Sequence, residues 1–109
     1  MTDQETEKKI QQLQLIEQSI QSMLMQKQQF QAQMMEAESA IKELEKGKEA
    51  YKIIGNIMVA AKKDDLLQDL KQKKDICSLR INAIEKQENN IKEKAKKMRD
   101  EVVKDIKVD

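Results

Sequence analysis

Side chains able to carry acid–base, metal or nucleophilic chemistry are few in this chain of 109 residues. Histidine is absent, which excludes histidine-based proton transfer and histidine metal ligation. Cys77 is the only cysteine, so neither a multi-cysteine zinc site nor an intramolecular disulfide is possible. Carboxylates are abundant, but the pattern places them on solvated helix faces with no pocket to shift their pKa values. We therefore expect a protein that is not an enzyme and that uses no cofactor and no metal.

Glycine spacing also excludes the common nucleotide-binding loops. Gly47 and Gly55 are eight residues apart, which fits neither a P-loop nor a dinucleotide-binding fingerprint. Gly47-Lys48 is like the end of a P-loop, but Lys42 stands where that motif needs its first glycine. The sequence therefore predicts no ATP-dependent activity.

One basic stretch, Lys92 to Arg99, holds five cations and one acid. It could be a nucleic-acid-binding arm, whose binding would weaken steeply as salt rises. The net charge of +1 gives no general attraction to nucleic acid, and Ala95 and Met98 interrupt the cations with apolar positions. A solvated helix face is the favoured reading, and we expect no nucleic-acid partner.

The elements that carry these side chains are marked by a seven-residue apolar repeat, typical of a coiled-coil seam. Helix-forming residues dominate, proline is absent and aromatics make up 2% of the chain, so a compact aromatic core is not available. The sustained phase argues against disorder. The repeat predicts a first helix over about residues 5–46, with a Thr2–Glu5 capping box at its start and a left-handed Gly47 after its end. Its seam positions are Leu13, Ile16, Ile20, Met23, Lys27, Phe30, Met34, Ala37, Ile41 and Leu44.

A second repeat predicts another helix over about residues 64–106, with Asp64 and Asp65 at its N-cap and in its first turn. When the first repeat is paired with the second read backwards, from Leu44 with Leu67 to Leu13 with Met98, the two residue numbers of each pair add up to the same value. An antiparallel hairpin requires such a pairing. Lys27 and Glu88 then fall near each other, and a surface ion pair between them would contribute less than about 1 kcal/mol. The second seam comprises Leu67, Leu70, Lys74, Cys77, Ile81, Ile84, Glu88, Ile91, Ala95, Met98 and Val102.

Between the helices, residues 51–61 combine strand-forming residues with a central Gly55-Asn56, which suits a tight turn. The two repeats are out of phase across this segment, and two helices with a connection explain this better than one continuous helix. Apolar side chains occupy both faces of the predicted hairpin, and an isolated two-stranded ribbon is marginally stable with open edges. We expect equivalent hairpins of other chains to complete it; the alternative is a ribbon folded back on its own helices.

Two stretches give the sequence a family resemblance. Tyr51–Val59 followed by Lys62–Asp65 forms an aromatic-Lys-x-x-Gly-Asn-x-x-Val signature between helices, and Leu79–Glu88 continues the likeness. These residues resemble the β-class subunit of prefoldin, of the archaeal type. A single hairpin fits the β class, because the α class has two hairpins in its connection.

The resemblance implies a mainly α fold, an antiparallel two-helix coiled coil with one β-hairpin at the bend, over a single prefoldin-like domain of residues 1–109. It implies a hexamer of two α-class and four β-class subunits, whose hairpins assemble into an intersubunit β-barrel. This ATP-independent cochaperone subunit would capture nonnative proteins at its coiled-coil tips and deliver them to a group II chaperonin. The implied assembly residues are Tyr51, Ile53, Ile54, Ile57, Met58 and Val59. The implied client-binding residues are Ile10, Leu13, Ile16, Met98, Val102, Val103 and Ile106.

A different class of function stays open from the residues themselves, namely a structural tether or spacer without affinity for unfolded chains. The first seven residues lack a signal-peptide layout, and no apolar run approaches membrane-spanning length. We therefore expect a cytoplasmic protein with no membrane partner.

Overall fold

The computed structural model describes residues 3–47 and 49–107, which form two long helices and one two-stranded antiparallel sheet. Helix α1 comprises Gln4–Lys46 and helix α2 comprises Lys63–Lys107. Strands β1, Ala50–Ile54, and β2, Ile57–Ala61, lie between them in the chain. The predicted fold class, two helices joined through one β-hairpin, is confirmed.

Helix α1 begins at Gln4 because Asp3 caps it. The Asp3 Oδ1 atom accepts a hydrogen bond of 2.8 Å from the backbone N–H of Thr6, which satisfies one of the free donors of the first turn. This bond lowers the pKa of the Asp3 carboxyl, since it favours the charged form. The predicted capping residue, Thr2, lies outside the described residues.

The cap at the end of α1 differs from the prediction. The helix stops at Lys46, but Gly47 does not adopt the left-handed conformation; Gly55 alone has a positive φ among the glycines of the described chain. The carbonyl oxygens of Glu45 and Gly47 instead accept hydrogen bonds from Lys63 Nζ, at 3.3 and 3.1 Å. A cation on the first residue of α2 therefore satisfies one of the last carbonyls of α1 and the carbonyl of the residue that follows the helix.

Helix α2 begins one residue earlier than predicted, at Lys63. The Leu66 N–H donates to the Lys62 carbonyl, so Lys62 occupies the N-cap position. The predicted N-cap role of Asp64 is therefore wrong. Asp64 and Asp65 both lie in the first turn, where their negative charge favours the helix N-terminus.

The hairpin has a two-residue turn at Gly55-Asn56. Its strands pair in register from Ala50 opposite Ala61 to Ile54 opposite Ile57. Gly55 has a φ of 60° and Asn56 has no positive φ, the pattern of a type II′ turn with glycine first. The predicted turn is confirmed, and Gly55 is where the chain needs glycine.

The chain divides into two compact units. The terminal unit contains residues 3–27 and 82–107, and the hairpin unit contains residues 28–47 and 49–81. That residues 1–109 form a single domain stays a prediction. Every predicted seam residue is buried or half-buried in its unit, which confirms both repeats. The buried apolar side chains are Ile84, Ala95 and Val102 in the terminal unit, and Ala37, Ala50 and Cys77 in the hairpin unit.

Candidate functional site

The β-ribbon of the hairpin unit, which comprises residues 50–61, is the largest run of exposed apolar side chains in the described chain. Of its residues, Ala50 is buried and Ala61 is half-buried. All ten residues between them are exposed, and Ile53 reaches 70%. The ribbon therefore contacts its own helices only at its root, and the alternative of a ribbon sheltered by its own helices is wrong.

The register assigns the exposed side chains to two faces, because directly paired residues share a face and successive residues alternate. One face carries Tyr51 and Ala60 with Ile53 and Met58. The other carries Lys52 and Val59 with Ile54 and Ile57. Both faces are thus largely apolar, and Lys52 is the one cation among these eight side chains. Each strand also has one edge that no other strand of the chain pairs with. The six predicted assembly residues are all exposed on this ribbon.

An open groove of about 830 Å³ extends the apolar surface from the ribbon root onto the helices of the hairpin unit. Strand β1 lines one side from Ala50 to Ile53. The opposite wall includes four apolar side chains, Ala40, Leu44, Leu66 and Leu70. The ribbon and its root together form a continuous surface that could contact another polypeptide.

The predicted client-binding residues lie in the terminal unit, and the structure divides them by exposure. Val103 and Ile106 are exposed. Val102 is buried, and the remaining four are half-buried, namely Ile10, Leu13, Ile16 and Met98. Two of the seven are therefore exposed, and the seam covers the others wholly or in part.

A polar cluster joins the ends of α1 and α2 in the terminal unit. The hydroxyl of Thr6 donates to Asp105 Oδ2 at 3.3 Å, and Lys9 Nζ lies 3.4 Å from the same oxygen. Lys9 also forms an ion pair of 3.4 Å with Glu101. These carboxylates, Glu101 first, raise the pKa of the Lys9 ammonium. We call these four residues the clasp.

Sequence reasoning missed the clasp, although the heptad frame contains a signal for it. Thr6 and Lys9 precede Leu13 and Ile16 by seven residues, and Asp105 follows Met98 by seven. Three of the four clasp residues thus occupy seam positions, where the repeat continues with polar residues, and Glu101 lies beside them. Thr6 is the most buried side chain of the described chain, at 1% exposure.

A buried carboxylate interrupts the seam further along the terminal unit. Glu88 is 5% exposed, with Lys27 Nζ 3.0 Å from its Oε1 and Lys92 Nζ 3.5 Å from its Oε2. The contact with Lys27 holds the pKa of Glu88 below its usual value of 4.5, against the opposing effect of burial, and Lys92 acts in the same direction. Glu88 Oε1 is enclosed by protein, and the Lys27 ammonium is the charged group that lies against it. The predicted pair is present, but its expected place at the surface is wrong.

Two reactive or charged side chains of the hairpin unit, Cys77 and Arg80, make packing contacts. Cys77 is a buried free thiol whose Sγ lies 3.8 Å from Gln33 Oε1, and the guanidinium of Arg80 stands 5.6 Å from the centre of the Phe30 ring. Residues 3–47 and 49–107 contain no group of three cysteine or acidic side chains arranged to hold a metal ion. No helix within the same ranges is long and apolar enough to cross a membrane.

These features define a class of protein: two long helices joined through one β-hairpin whose apolar side chains are exposed. A family model described as prefoldin subunit matches residues 7–107. The chain therefore belongs to the prefoldin family, and its relatives place it in the β class of archaeal type.

Several relatives carry that family likeness. The prefoldin subunit beta of Methanothrix thermoacetophila is 33% identical over 101 residues, which cover 90% of this chain and 84% of that protein. The prefoldin subunit beta of Pyrobaculum neutrophilum is 35% identical over 72 residues, which cover 63% of this chain and 57% of that protein. With the Archaeoglobus fulgidus relative, at 37% identity, the match spans 52% of both chains.

A solved structure has the same fold. The crystal structure of the prefoldin beta subunit from Thermococcus strain KS-1 matches with a TM-score of 0.83 and 30% sequence identity. The match covers 92% of this chain and 90% of that chain.

Proposed function

We propose that this chain is a subunit of an ATP-independent chaperone, which assembles through its ribbon and captures nonnative proteins at the helix ends of its terminal unit. The observation that carries the proposal is the ribbon, whose apolar faces and edges its own chain leaves uncovered. An exposed two-stranded sheet of this composition is marginal alone and gains stability when further strands pair with it.

The family suggests which chains complete the ribbon. The proposed assembly contains two α-class and four β-class subunits, with their hairpins closed into a β-barrel that leaves no open edge. The residues that would enter this barrel are Tyr51, Ile53, Ile54, Ile57, Met58 and Val59. Their exposure on the single chain supports this role.

The proposed client site is the apolar set at the helix ends: Ile10, Leu13, Ile16, Met98, Val102, Val103 and Ile106. Val103 and Ile106 are exposed in the structure, and Met25 and Met35 add exposed, adaptable side chains along α1. Weak contacts from several subunits of one assembly would add through effective concentration. The bound client would then pass to a group II chaperonin in the cytoplasm.

The experiment mixes the purified chain with an α-class subunit and measures aggregation of a chemically denatured protein diluted into the mixture without ATP. Suppression by the mixture, and none by an equal mass of an unrelated coiled-coil protein, supports the proposal. Aggregation at the same rate with and without the assembly contradicts it.

A second candidate function is a structural tether, and the closed helix ends favour it. Because Val102 is buried and the clasp joins α1 to α2, five of the seven residues of the proposed client site are buried or half-buried in the structure. A tether would assemble through the ribbon yet leave the aggregation of denatured proteins unchanged. The same assay therefore distinguishes the two functions.

A further inference from the structure

The clasp holds the two helix ends of the terminal unit together through polar contacts. Apolar residues at the same seam positions would hold these ends more tightly. The three side-chain contacts of the clasp are 3.3–3.4 Å long, and both carboxylates are partly open to water. When the helices separate at this end, water can solvate all four groups again. Opening is therefore less costly than it would be with leucine at the same positions.

The residues next to the clasp belong to the proposed client site. Val102 lies three residues before Asp105 on the same face of α2, and it is buried while the clasp is closed. Ile10 follows Lys9 directly, and Leu13 lies one turn further along α1. Separation of the helix ends would therefore bring Val102 and these half-buried side chains to the surface, beside Val103 and Ile106.

We propose that the clasp of Thr6, Lys9, Glu101 and Asp105 is a gate that regulates access to the apolar client site of the terminal unit. This inference rests on the proposed function, because a gate needs a client site to regulate. In the closed state two of the seven site residues are exposed. In the open state the whole set can contact a nonnative chain, and contact with that chain in turn stabilises the open state.

The test compares an opened and a locked gate in the full chain, assembled with the α-class subunit. Lys9→Gln removes both ion pairs of the clasp. The locked form is T6C/D105C in a Cys77→Ser background, joined by a short thiol-specific cross-linker with a reducible bond. Two controls lie in the hairpin unit, at the Lys74–Glu38 ion pair of 3.3 Å. Lys74→Gln causes the same loss of charge, and E38C/K74C in the same background takes the same cross-link.

Amide hydrogen exchange reports the opening, and aggregation suppression reports client capture. We expect Lys9→Gln to speed exchange several-fold within residues 4–16 and 98–107 and to raise capture, whereas Lys74→Gln leaves both unchanged. We expect the cross-linked clasp to lose most of its capture and to regain it on reduction, with the control cross-link causing no loss.

Capture that is equal in the locked and reduced forms overturns the gate while leaving the proposed function in place. Unchanged exchange in Lys9→Gln also overturns it, because the contacts would then not hold the ends together. An unmodified assembly that captures no client contradicts the proposed function itself, and the gate falls with it.

Discussion

The Lys27 ammonium lies 3.0 Å from the Glu88 carboxylate, inside the seam of the terminal unit. The pair is largely shielded from water, in contrast to Lys74 and Glu38 of the hairpin unit, whose side chains are 39% and 42% exposed. A buried charge left without its partner is strongly unfavourable. An alternative pairing of the helices that moved Glu88 away from Lys27 would therefore be disfavoured, so the pair can specify the antiparallel register.

The first prediction compares the energetic coupling within these two ion pairs. Double-mutant cycles with K27M and E88Q, and with K74M and E38Q, should give a clearly larger coupling for the buried pair, because solvent screens the exposed one. Urea unfolding, monitored by the far-UV circular dichroism of the helices, measures the free energy of unfolding of each variant. Equal coupling in the two cycles would show that burial of Glu88 has no energetic consequence.

The second prediction concerns acid. Because the folded pKa of Glu88 lies below its usual value of 4.5, its carboxylate stabilises the fold above that pH, and the contribution disappears as the pH falls through the folded value. The pKa of Asp3 is likewise lowered below its usual value of 3.8, so Asp3 contributes in the same direction, and this contribution remains in an E88Q variant. Wild type should therefore lose more stability than E88Q between neutral pH and about pH 3. Urea midpoints across this range measure the difference, and parallel curves for the two proteins would rule the mechanism out.

The third prediction uses the two glycines as a matched pair. At Gly55 a Cβ would meet no atom within 4 Å, but the φ of 60° is unfavourable for any L side chain. Gly55→Ala should therefore destabilise the hairpin by about 1–2 kcal/mol through the backbone alone. Gly47 has no positive φ, and the nearest atom to an added Cβ would be the Glu43 carbonyl oxygen at 3.5 Å, so Gly47→Ala should be neutral or stabilise by up to about 1 kcal/mol. Chemical denaturation of both variants tests this, and an equal cost at the two sites would contradict the turn assignment.

The fourth prediction concerns Lys63, which caps the carbonyls of Glu45 and Gly47. Lys63→Met keeps the aliphatic stem and removes both hydrogen bonds, so it should cost about 0.5–1.5 kcal/mol. Amide exchange should also rise in the last turn of α1, since that turn loses its cap. The control is Lys62→Met, which removes the charge of the exposed neighbouring lysine. A similar effect of the two substitutions would mean that the charge, rather than the hydrogen bonds, matters.

Much of the fold follows from the sequence, because two local signals agree with each other. The heptad repeat places each seam residue on the buried face, and Gly55-Asn56 fixes the turn between two runs of strand formers. The antiparallel register also follows from the residue numbers. The residue numbers of cross-helix partners add up to values close to the predicted sum, as Thr6 with Asp105 in the terminal unit and Lys74 with Glu38 in the hairpin unit show.

What the sequence did not predict depends on geometry between distant residues. Lys63 caps a helix that ends 17 residues earlier, and no local pattern marks a cap supplied from the next helix. The burial of Glu88 depends on how closely the two helices approach, which spacing alone does not give. The clasp could have been found by extending the frame beyond Leu13 and Val102, but polar residues at those positions look like the end of a repeat.

The central claim is that the ribbon is completed by other subunits, and native mass spectrometry with an α-class subunit tests it most directly. The wild-type chain should form a hexamer, whereas I53S/M58S, a cross-strand pair on one ribbon face, should remain unassembled with its helicity intact. The control L15S/L79S removes equally exposed apolar side chains from the helices and should assemble. A wild-type chain that stays alone beside its partner, or a ribbon variant that assembles as well as wild type, would contradict the account.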